Sequence, residues 1–260
     1  VVEAEPRILP NEDVDISKEL ERIFKSKKID IKTDTKVENI SKSKSSLEVN
    51  LSSSKIQCDK VLVAVGVKAN SSNIGLNRNN IKTDRGWIVT NEFMQTSVDN
   101  IFAIGDVAGP PWLAHVASAE AITAIEYIFD KSPKPMSYNN IPGCTYCHPE
   151  VASVGLTESQ ALEEGFKVKV GKFPLSALGK AVAIGQTEGF VKIIFDEKYG
   201  ELLGCHIIGA NATDLISEIS LARDLETTYN EILKSIHPHP TLSEAIMEAT
   251  ADALGEAIHI

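Results

Sequence analysis

The last part of the chain contains the segment His237-Pro238-His239-Pro240-Thr241-Leu242-Ser243-Glu244. A residue that precedes proline is driven into an extended conformation, so neither histidine is expected to lie in a helix. Thr241 and Glu244 have the T-x-x-E spacing of a capping box, and apolar residues recur at helical spacing from Leu242 onward. The pattern predicts a helix that begins after the prolines, with a rigidly held imidazole beside its first turn.

An imidazole held near a carboxylate is suited to general acid–base chemistry at neutral pH, because the carboxylate favours its charged form and fixes its tautomer. The pattern alone leaves two simpler interpretations open. Glu244 could serve only as a helix cap, and His237 could be only a solvated loop residue. A metal site is not predicted, because no second group of ligands at zinc spacing follows the histidines.

The composition is that of an ordinary globular protein. The 260 residues are 43% hydrophobic and 24% charged, and their formal net charge is -10. No apolar run approaches the roughly 20 residues of a membrane span. The acidic balance argues against a general nucleic-acid surface, which needs clustered Lys and Arg. Four cysteines are too few for a disulfide scaffold and favour a reducing compartment.

The chain opens on Val1-Val2-Glu3, which is typical of the end of a buried strand and predicts that the chain is part of a longer protein. A glutamate at the end of an early strand is where a dinucleotide-binding fold places its ribose-binding acid. The alternative is an ordinary solvated glutamate. No G-x-G-x-x-G occurs in the sequence, so the phosphate-binding turn is expected before residue 1.

Two apolar segments end at a glycine. Residues 61–66 read Val-Leu-Val-Ala-Val-Gly and predict a strand buried on both faces, where Gly66 either lets a ligand approach or forms a simple turn. Residues 96–106 read Thr-Ser-Val-Asp-Asn-Ile-Phe-Ala-Ile-Gly-Asp. A strand that runs into Gly-Asp places Asp106 at the carboxyl edge of a sheet, where open α/β folds bind ligands, and the alternative is a turn.

Cys144 and Cys147 form a C-x-x-C, for which a redox role is rejected. A reactive pair of this kind normally leads into a helix, whereas these cysteines lie in a strand-like stretch where an odd separation puts them on opposite faces. Zinc is rejected because no second ligand pair follows.

Residues 130–140 contain two prolines and are typical of a linker, so a domain boundary is expected within this segment.

The remaining periodicities predict the other elements. Helices are expected over residues 15–26, 213–225 and 229–234, and strands over residues 29–32, 35–41, 45–51, 166–173, 190–195 and 202–208. The last three strands are expected to form an antiparallel sheet.

Three motifs resemble the dihydrolipoamide dehydrogenase family of FAD-dependent pyridine nucleotide-disulfide oxidoreductases. They are T-x6-A-I-G-D ending at Asp106, H-P-E-V-A-x-V-G-x-T-E beginning at His148, and H-x-H-P-T-x-x-E beginning at His237. The chain departs from the family at three points. The family's G-R-x-P-N is Gly66-Val67-Lys68-Ala69-Asn70, the Met of its M-L-A-H is Trp112, and its redox C-x4-C is absent.

The resemblance implies that His239 is the acid–base group and that Glu244 orients it. It also implies two sets of cofactor contacts. Those to FAD are Asp106, Trp112, Leu113, Ala114 and His115. Those to NAD are Glu3, Val37 and Gly66. No metal ligands are implied.

The implied fold combines α/β and α+β parts. Residues 1–68 would end an NAD-binding Rossmann-like domain, residues 69–138 would return to the FAD-binding or central domain, and residues 139–260 would form a dimerisation domain of antiparallel sheet and helices. The implied enzyme oxidises protein-bound dihydrolipoamide through a redox disulfide and FAD and reduces NAD. Its implied partners are a second copy and the lipoyl domains of 2-oxo-acid dehydrogenase or glycine-cleavage complexes. The bacterial cytoplasm is preferred to the mitochondrial matrix, and the chain alone is expected to be inactive.

Two other functions stay open. A glutathione-reductase-type enzyme shares the flavin motif and an H-P-T-x-x-E end, but it uses NADPH and a small disulfide. The H-x-H form and Glu3 count against it. The other possibility is a non-catalytic dimerisation and docking piece, because the chain lacks the redox cysteines and the first flavin-phosphate loop.

Overall fold

The computed structural model describes residues 1–42 and 46–259 and divides into two compact units. The first unit comprises Val1–Val61 together with Asn140–Ile260, and the second comprises Leu62–Asn139. The helices are α1 (Val14–Ser26), α2 (Ala114–Ile128), α3 (Glu158–Glu163), α4 (Gly179–Ala183), α5 (Ala212–Asp224), α6 (Tyr229–Lys234) and α7 (Glu244–Asp252). The strands are β1 (Val37–Lys42), β2 (Leu47–Leu51), β3 (Lys55–Cys58), β4 (Thr83–Asp84), β5 (Trp87–Ile88), β6 (Gly143–Thr145), β7 (Glu150–Gly155), β8 (Val168–Pro174), β9 (Phe190–Asp196) and β10 (Leu202–Gly209).

A five-stranded antiparallel sheet forms the centre of the first unit, with the spatial order β6-β7-β10-β9-β8. At its centre Ile207 of β10 pairs with Val191 of β9 and with Ala152 of β7. Every residue of β9 and β10 is buried, because helices cover both faces of these two strands. The predicted strands over residues 166–173, 190–195 and 202–208 are confirmed, as is a mixed fold with an antiparallel sheet and helices.

One face of this sheet packs against the C-terminal helices. The shared core contains Ile193 and Ile207 from the sheet, Ile216 from α5 and Ile246 from α7. The apolar residues of α5 and α7 recur every three or four positions, so each helix buries one stripe. This packing fixes α7, the helix whose first residue is Glu244.

The opposite face of the sheet is covered by α1. Ile16, Leu20 and Ile23 of this helix pack with Phe190 and Ile208. Asp13 caps the helix by accepting a hydrogen bond from the backbone N–H of Asp15 at 2.9 Å, as expected for an N-cap aspartate. The sequence periodicity over residues 15–26 therefore identified both the helix and its buried stripe.

A charged cluster is buried between α1 and the sheet. Lys192 Nζ lies 2.9 Å from Asp13 Oδ1, 3.1 Å from Asp15 Oδ2 and 2.8 Å from Glu158 Oε2. The side chains of Lys192 and Asp13 are each only 1% exposed. Burial alone would lower the pKa of Lys192, but its hydrogen bonds to Glu158 and Asp13 outweigh burial and raise that pKa. Burial likewise opposes ionisation of Asp13, yet the bonds from Lys192 and from the Asp15 N–H lower its pKa.

Gly171 of β8 lies directly beneath α7. A Cβ at this position would overlap the backbone oxygen of Ala249 and the backbone nitrogen of Ala253. We expect Gly171→Ala to push α7 off the sheet and to lower the free energy of unfolding in urea by about 1–3 kcal/mol, the usual cost of overpacking. Gly179→Ala is the matched control, because a Cβ there meets nothing within 4 Å. Equal stability of the two variants would contradict this account.

Four predicted strands in the first half of the chain are altered or absent. Residues 29–32 contribute only an isolated parallel bridge between Val2 and Lys32. The strand predicted over 35–41 is β1, and the one predicted over 45–51 is β2, although Ser45 lies outside the described residues. The buried strand predicted at residues 61–66 is wrong for this chain. Leu62 and Val65 are 92% and 91% exposed, because no described strand pairs with this segment and a buried parallel strand needs neighbours.

The second unit is built around α2 and a small apolar cluster. Ile81, Ile88 and Ala103 form the buried part of that cluster, and β4 and β5 make a short antiparallel pair beside it. The strand predicted to run into Gly105 is reduced to an isolated bridge between Gln95 and Phe102. A 3-10 turn, Gly105–Ala108, follows it.

Candidate active site at the start of the last helix

The segment that leads into α7 is non-helical from Ile236 to Leu242, as the two prolines predict. The predicted capping box is only half formed. Glu244 Oε2 accepts a hydrogen bond from the backbone N–H of Thr241 at 2.8 Å. The hydroxyl of Thr241, however, donates to the carbonyl of Pro238 at 2.7 Å, and Ser243 is the N-cap of α7. One carboxylate oxygen of Glu244 thus ties the helix start to the segment before it.

The other carboxylate oxygen of Glu244 binds the second histidine of the motif. Glu244 Oε1 lies 2.9 Å from His239 Nδ1. Burial opposes ionisation of Glu244, but the bonds from the Thr241 N–H and from His239 outweigh it and lower its pKa. The carboxylate is therefore a stable acceptor, which favours the His239 tautomer with its proton on Nδ1 and leaves Nε2 as the basic nitrogen.

The two side chains differ in their exposure. His239 is 77% exposed and Glu244 is 17% exposed. An accessible imidazole backed by a fixed carboxylate is the arrangement that a general acid–base group requires. Sequence spacing predicted this pair, because T-x-x-E directs the glutamate back towards the residues before the helix.

The first histidine occupies a different environment. The side chain of His237 is only 5% exposed, so the interpretation of this residue as a solvated loop histidine is wrong. Its Nε2 lies 2.9 Å from Glu218 Oε1 of α5, and its Nδ1 lies 3.1 Å from the carbonyl oxygen of Ser235. The sequence carried no signal for Glu218, which lies in a different helix.

The predicted flavin contacts all lie in the second unit. Asp106 is exposed in the turn Gly105–Ala108, whose first residue, Gly105, has φ +69°. Leu113 precedes α2 and makes no side-chain cap, but its backbone carbonyl accepts hydrogen bonds from the N–H groups of Val116 at 3.1 Å and Ala117 at 3.0 Å. Ala114 and His115 form this first turn. The predicted helix start is confirmed.

Trp112, which stands where the family has Met, stacks against Trp87. Their ring centroids are 5.6 Å apart, and the ring planes meet at 26°. The tryptophan is therefore held by aromatic packing within its own unit, a contact that the sequence motif did not reveal.

The predicted NAD contacts are divided between the two units. In the first unit, Glu3 accepts a hydrogen bond from the backbone N–H of Glu5 at 3.0 Å, and Val37 is an exposed residue at the start of β1. In the second unit, Gly66 has φ +108° and a Cβ there would meet nothing within 4 Å. Gly66 is thus required for its backbone conformation and not for space.

Comparison with known proteins places the chain in a family. A model of the pyridine nucleotide-disulphide oxidoreductases matches residues 1–121, and a model of the dimerisation domain of the same proteins matches residues 141–250. The chain belongs to the pyridine nucleotide-disulphide oxidoreductase family. The dihydrolipoyl dehydrogenases of Zymomonas mobilis and Bacillus subtilis are 45% and 46% identical to it over 265 residues. These alignments cover 100% of this chain but only 57% and 56% of the relatives, so the chain spans a little over half of their length.

Two solved structures share the fold. LpdA from Mycobacterium tuberculosis superposes with a TM-score of 0.90 at 24% identity, over 96% of this chain and 55% of that one. The HOCl-induced flavoprotein disulfide reductase RclA from Escherichia coli, in its Cu(II) complex, has a TM-score of 0.91 at 25% identity, over 96% of this chain and 57% of that one.

A buried acid that the sequence motifs did not flag supports the turn that carries Asp106. Glu120 of α2 accepts a hydrogen bond from the backbone N–H of Gly105 at 2.6 Å and another from the hydroxyl of Tyr138 at 2.8 Å. A signal was present, because Glu120 lies at helical spacing between the buried residues Val116 and Ala124. An acid on the buried stripe of a helix normally has a specific partner.

We expect the two substitutions Glu120→Leu and Glu120→Gln to differ sharply. Leucine removes both acceptors and leaves the N–H of Gly105 unsatisfied, which should cost about 1–3 kcal/mol of local stability. Glutamine keeps one acceptor for Gly105, and the Tyr138 hydroxyl can turn to accept from the new amide. Hydrogen exchange of the Gly105 amide measures this directly. Faster exchange is expected in Glu120→Leu only, and equal protection in both variants would show that Glu120 does not hold the turn.

The cysteine pair shows no sign of activation. Cys144 lies in β6, whereas Cys147 follows the end of that strand, so the predicted strand-like stretch is shorter than expected. Both residues are free thiols, and burial raises the pKa of each. A raised thiol pKa disfavours the nucleophilic thiolate. In the described part of the chain, no group of three His, Cys, Asp or Glu side chains is arranged to hold a metal ion, and no helix is long and apolar enough to span a membrane.

Proposed function

We propose that this chain forms the histidine-bearing part of a dihydrolipoyl dehydrogenase, an enzyme that oxidises protein-bound dihydrolipoamide and reduces NAD. The observation that carries the proposal is the exposed imidazole of His239 bound through Nδ1 to Glu244. The relatives that match the whole chain at 45% and 46% identity bear that name, which supports the choice of substrate.

His239 serves as the proton acceptor for the dithiol. Its Nε2 takes the proton from one thiol of dihydrolipoamide, and the thiolate so formed attacks one sulfur of the enzyme's disulfide. A new S–S bond joins substrate and enzyme, and the other enzyme sulfur leaves as a thiolate. The second substrate thiol then passes its proton to the enzyme thiolate released in the preceding step, and the thiolate so formed displaces the first enzyme sulfur, which leaves oxidised lipoamide and two reduced enzyme sulfurs. Glu244 keeps one proton of His239 on Nδ1, so Nε2 is the nitrogen that takes up the thiol proton.

The second unit fits a flavin. FAD, when bound, carries the electrons from the reduced cysteine pair to NAD. Asp106 is an exposed carboxylate suited to hydroxyl groups of a ribityl chain, and its turn is held in place through Gly105 and Glu120. Trp112, Leu113, Ala114 and His115 lie at the start of α2, where the positive end of the helix dipole favours the negative charge that a flavin gains on reduction.

The NAD contacts, the domain limits and the partners are part of the same proposal. Glu3, Val37 and Gly66 contact NAD, and residues 1–68, 69–138 and 139–260 belong to the NAD, central and dimerisation domains. The match to a dimerisation domain supports a homodimer in which His239 serves the disulfide of the second copy. Lipoyl domains of a 2-oxo-acid dehydrogenase or glycine-cleavage complex present the substrate in a bacterial cytoplasm.

A substrate comparison on the whole enzyme tests the proposal. We expect turnover of dihydrolipoamide with NAD to exceed reduction of glutathione disulfide with NADPH by about 1,000-fold or more, since the two enzyme types recognise different substrates through different contacts. Preference for NADPH and glutathione disulfide would assign the chain to the reductase type instead. Flavin-free protein with neither activity would favour a docking role.

A further inference from the structure

The buried histidine of the H-x-H motif makes contacts that its exposed neighbour does not. His237 lies between the end of α6 and His239, and both of its ring nitrogens have partners. Nε2 faces a carboxylate oxygen of Glu218 at 2.9 Å, and Nδ1 faces the backbone carbonyl oxygen of Ser235 at 3.1 Å. The imidazole therefore bridges α5 and the segment that leads to α7.

Both of these partners can only accept hydrogen bonds. A neutral imidazole carries a single N–H and satisfies one of them, whereas an imidazolium donates to both. The side chain is 5% exposed, so water offers little compensation for a missing donor. The hydrogen bond to Glu218 is the main cause that raises the pKa of His237, it outweighs burial, and the charge of Glu244 adds to it.

A continuous set of contacts joins His237 to the catalytic pair. Pro238, the next residue, accepts a hydrogen bond from the Thr241 hydroxyl, and the Thr241 N–H donates to Glu244. Glu244 in turn holds His239. Proline lacks a backbone N–H, so Pro238 and Pro240 cannot anchor this segment as donors. Side-chain contacts at its two ends must do so, and His237 provides the one at the amino end.

We propose that His237, held as an imidazolium between Glu218 and the Ser235 carbonyl, is a positioning residue that fixes the segment presenting His239. This rests on the proposed function only for its effect on turnover. The contact with Glu218 and its effect on the ring of His239 are properties of the chain itself.

The first test is nitrogen-15 NMR of histidine side chains in the 260-residue chain. We expect both ring nitrogens of His237 to carry protons at neutral pH and the ring of His239 to show one tautomer, with the proton on Nδ1. Glu218→Gln should shift deprotonation of His237 to lower pH, and His237→Gln should give His239 a mixture of tautomers. His148→Gln, a substitution of an exposed histidine, is the control and should leave His239 unchanged. A neutral His237 at neutral pH, or an unchanged His239 in His237→Gln, would overturn the proposal.

The second test uses the whole enzyme. Loss of a positioning contact should lower kcat for dihydrolipoamide by about 10- to 100-fold, the range seen when supporting partners of a reacting group are removed, while reduction of the flavin by NADH stays unchanged. Glu218→Gln should show a smaller loss than His237→Gln, because glutamine can still accept from Nε2. Normal kcat in His237→Gln would refute the positioning role. If the unmodified enzyme does not oxidise dihydrolipoamide, the proposed function fails, and the NMR result still decides the role of His237.

Discussion

Replacement of His239 by glutamine is expected to slow dihydrolipoamide oxidation by about 100- to 10,000-fold, the usual contribution of a general acid–base group. Glutamine has similar length and can still face Glu244, but it cannot take a proton from a thiol at neutral pH. The dithiol then attacks only through the small fraction of thiolate that exists in solution. The measurement is steady-state turnover with dihydrolipoamide and NAD on the whole enzyme.

The reduction of the flavin by NADH is the internal control for this variant. His239 and Glu244 take no part in hydride transfer, so stopped-flow reduction by NADH should match that of the unmodified enzyme. Glu244→Gln gives a second comparison, because it weakens the orientation of His239 while leaving the imidazole in place. A smaller loss is expected there. Equal damage to both half-reactions in His239→Gln would remove the role assigned to this residue.

The substitution with the largest expected effect on stability is Lys192→Met. It removes the cation that pairs with Asp13 at 2.9 Å in a site where both side chains are 1% exposed. Breaking a buried pair leaves a charge without compensation and typically costs about 3–5 kcal/mol. Urea denaturation of the chain measures this loss. Lys172→Met is the matched control, since Lys172 contacts Asp15 at 3.5 Å but is 46% exposed, and an exposed pair contributes about 0–1 kcal/mol.

A second substitution separates the charge effect from lost packing. Asp13→Asn in the Lys192→Met background removes the uncompensated carboxylate while keeping a side chain that caps α1. We expect the double variant to be more stable than Lys192→Met alone. A double variant as unstable as the sum of the two single variants would show that charge compensation is not the cause.

The pH dependence of this cluster follows from the direction of each pKa. The pKa of Asp13 is lowered on folding, so its stabilisation is present above the unfolded value of about 3.9 and is lost as the pH falls through the folded value. The pKa of Lys192 is raised, so its stabilisation is present below about 10.4 and is lost as the pH rises through the folded value. The stabilisation that these two groups give the unmodified chain should therefore be constant from about pH 5 to pH 9. In Lys192→Met the carboxyl group of Asp13 is buried without its cation, so its protonation relieves part of the loss, and the difference in unfolding free energy between the two chains should shrink as the pH falls.

Local sequence patterns were sufficient for the elements that depend on near neighbours. The apolar runs of β9 and β10 and the helical spacing of apolar residues in α1 predicted those elements, because local geometry sets the faces that the side chains of a strand or helix present. The contact between His239 and Glu244 was also predictable, since the two residues are five positions apart at a helix start. The prediction failed where a side chain found a different local partner. The hydroxyl of Thr241 donates to the backbone carbonyl of Pro238 instead of capping the helix.

Tertiary structure alone decided the contacts between distant segments. Lys192 meets Asp13 across 179 positions of sequence, and Asn140 meets Asp224 across 84. No periodicity encodes such pairs, because each depends on how a helix and a sheet pack once both exist. The apolar run at residues 61–66 also shows the effect of tertiary structure. Its composition predicts a buried strand, but the run is largely exposed, because burial requires strands on either side. Composition determines what a segment can become, and the neighbours that packing supplies determine whether it does.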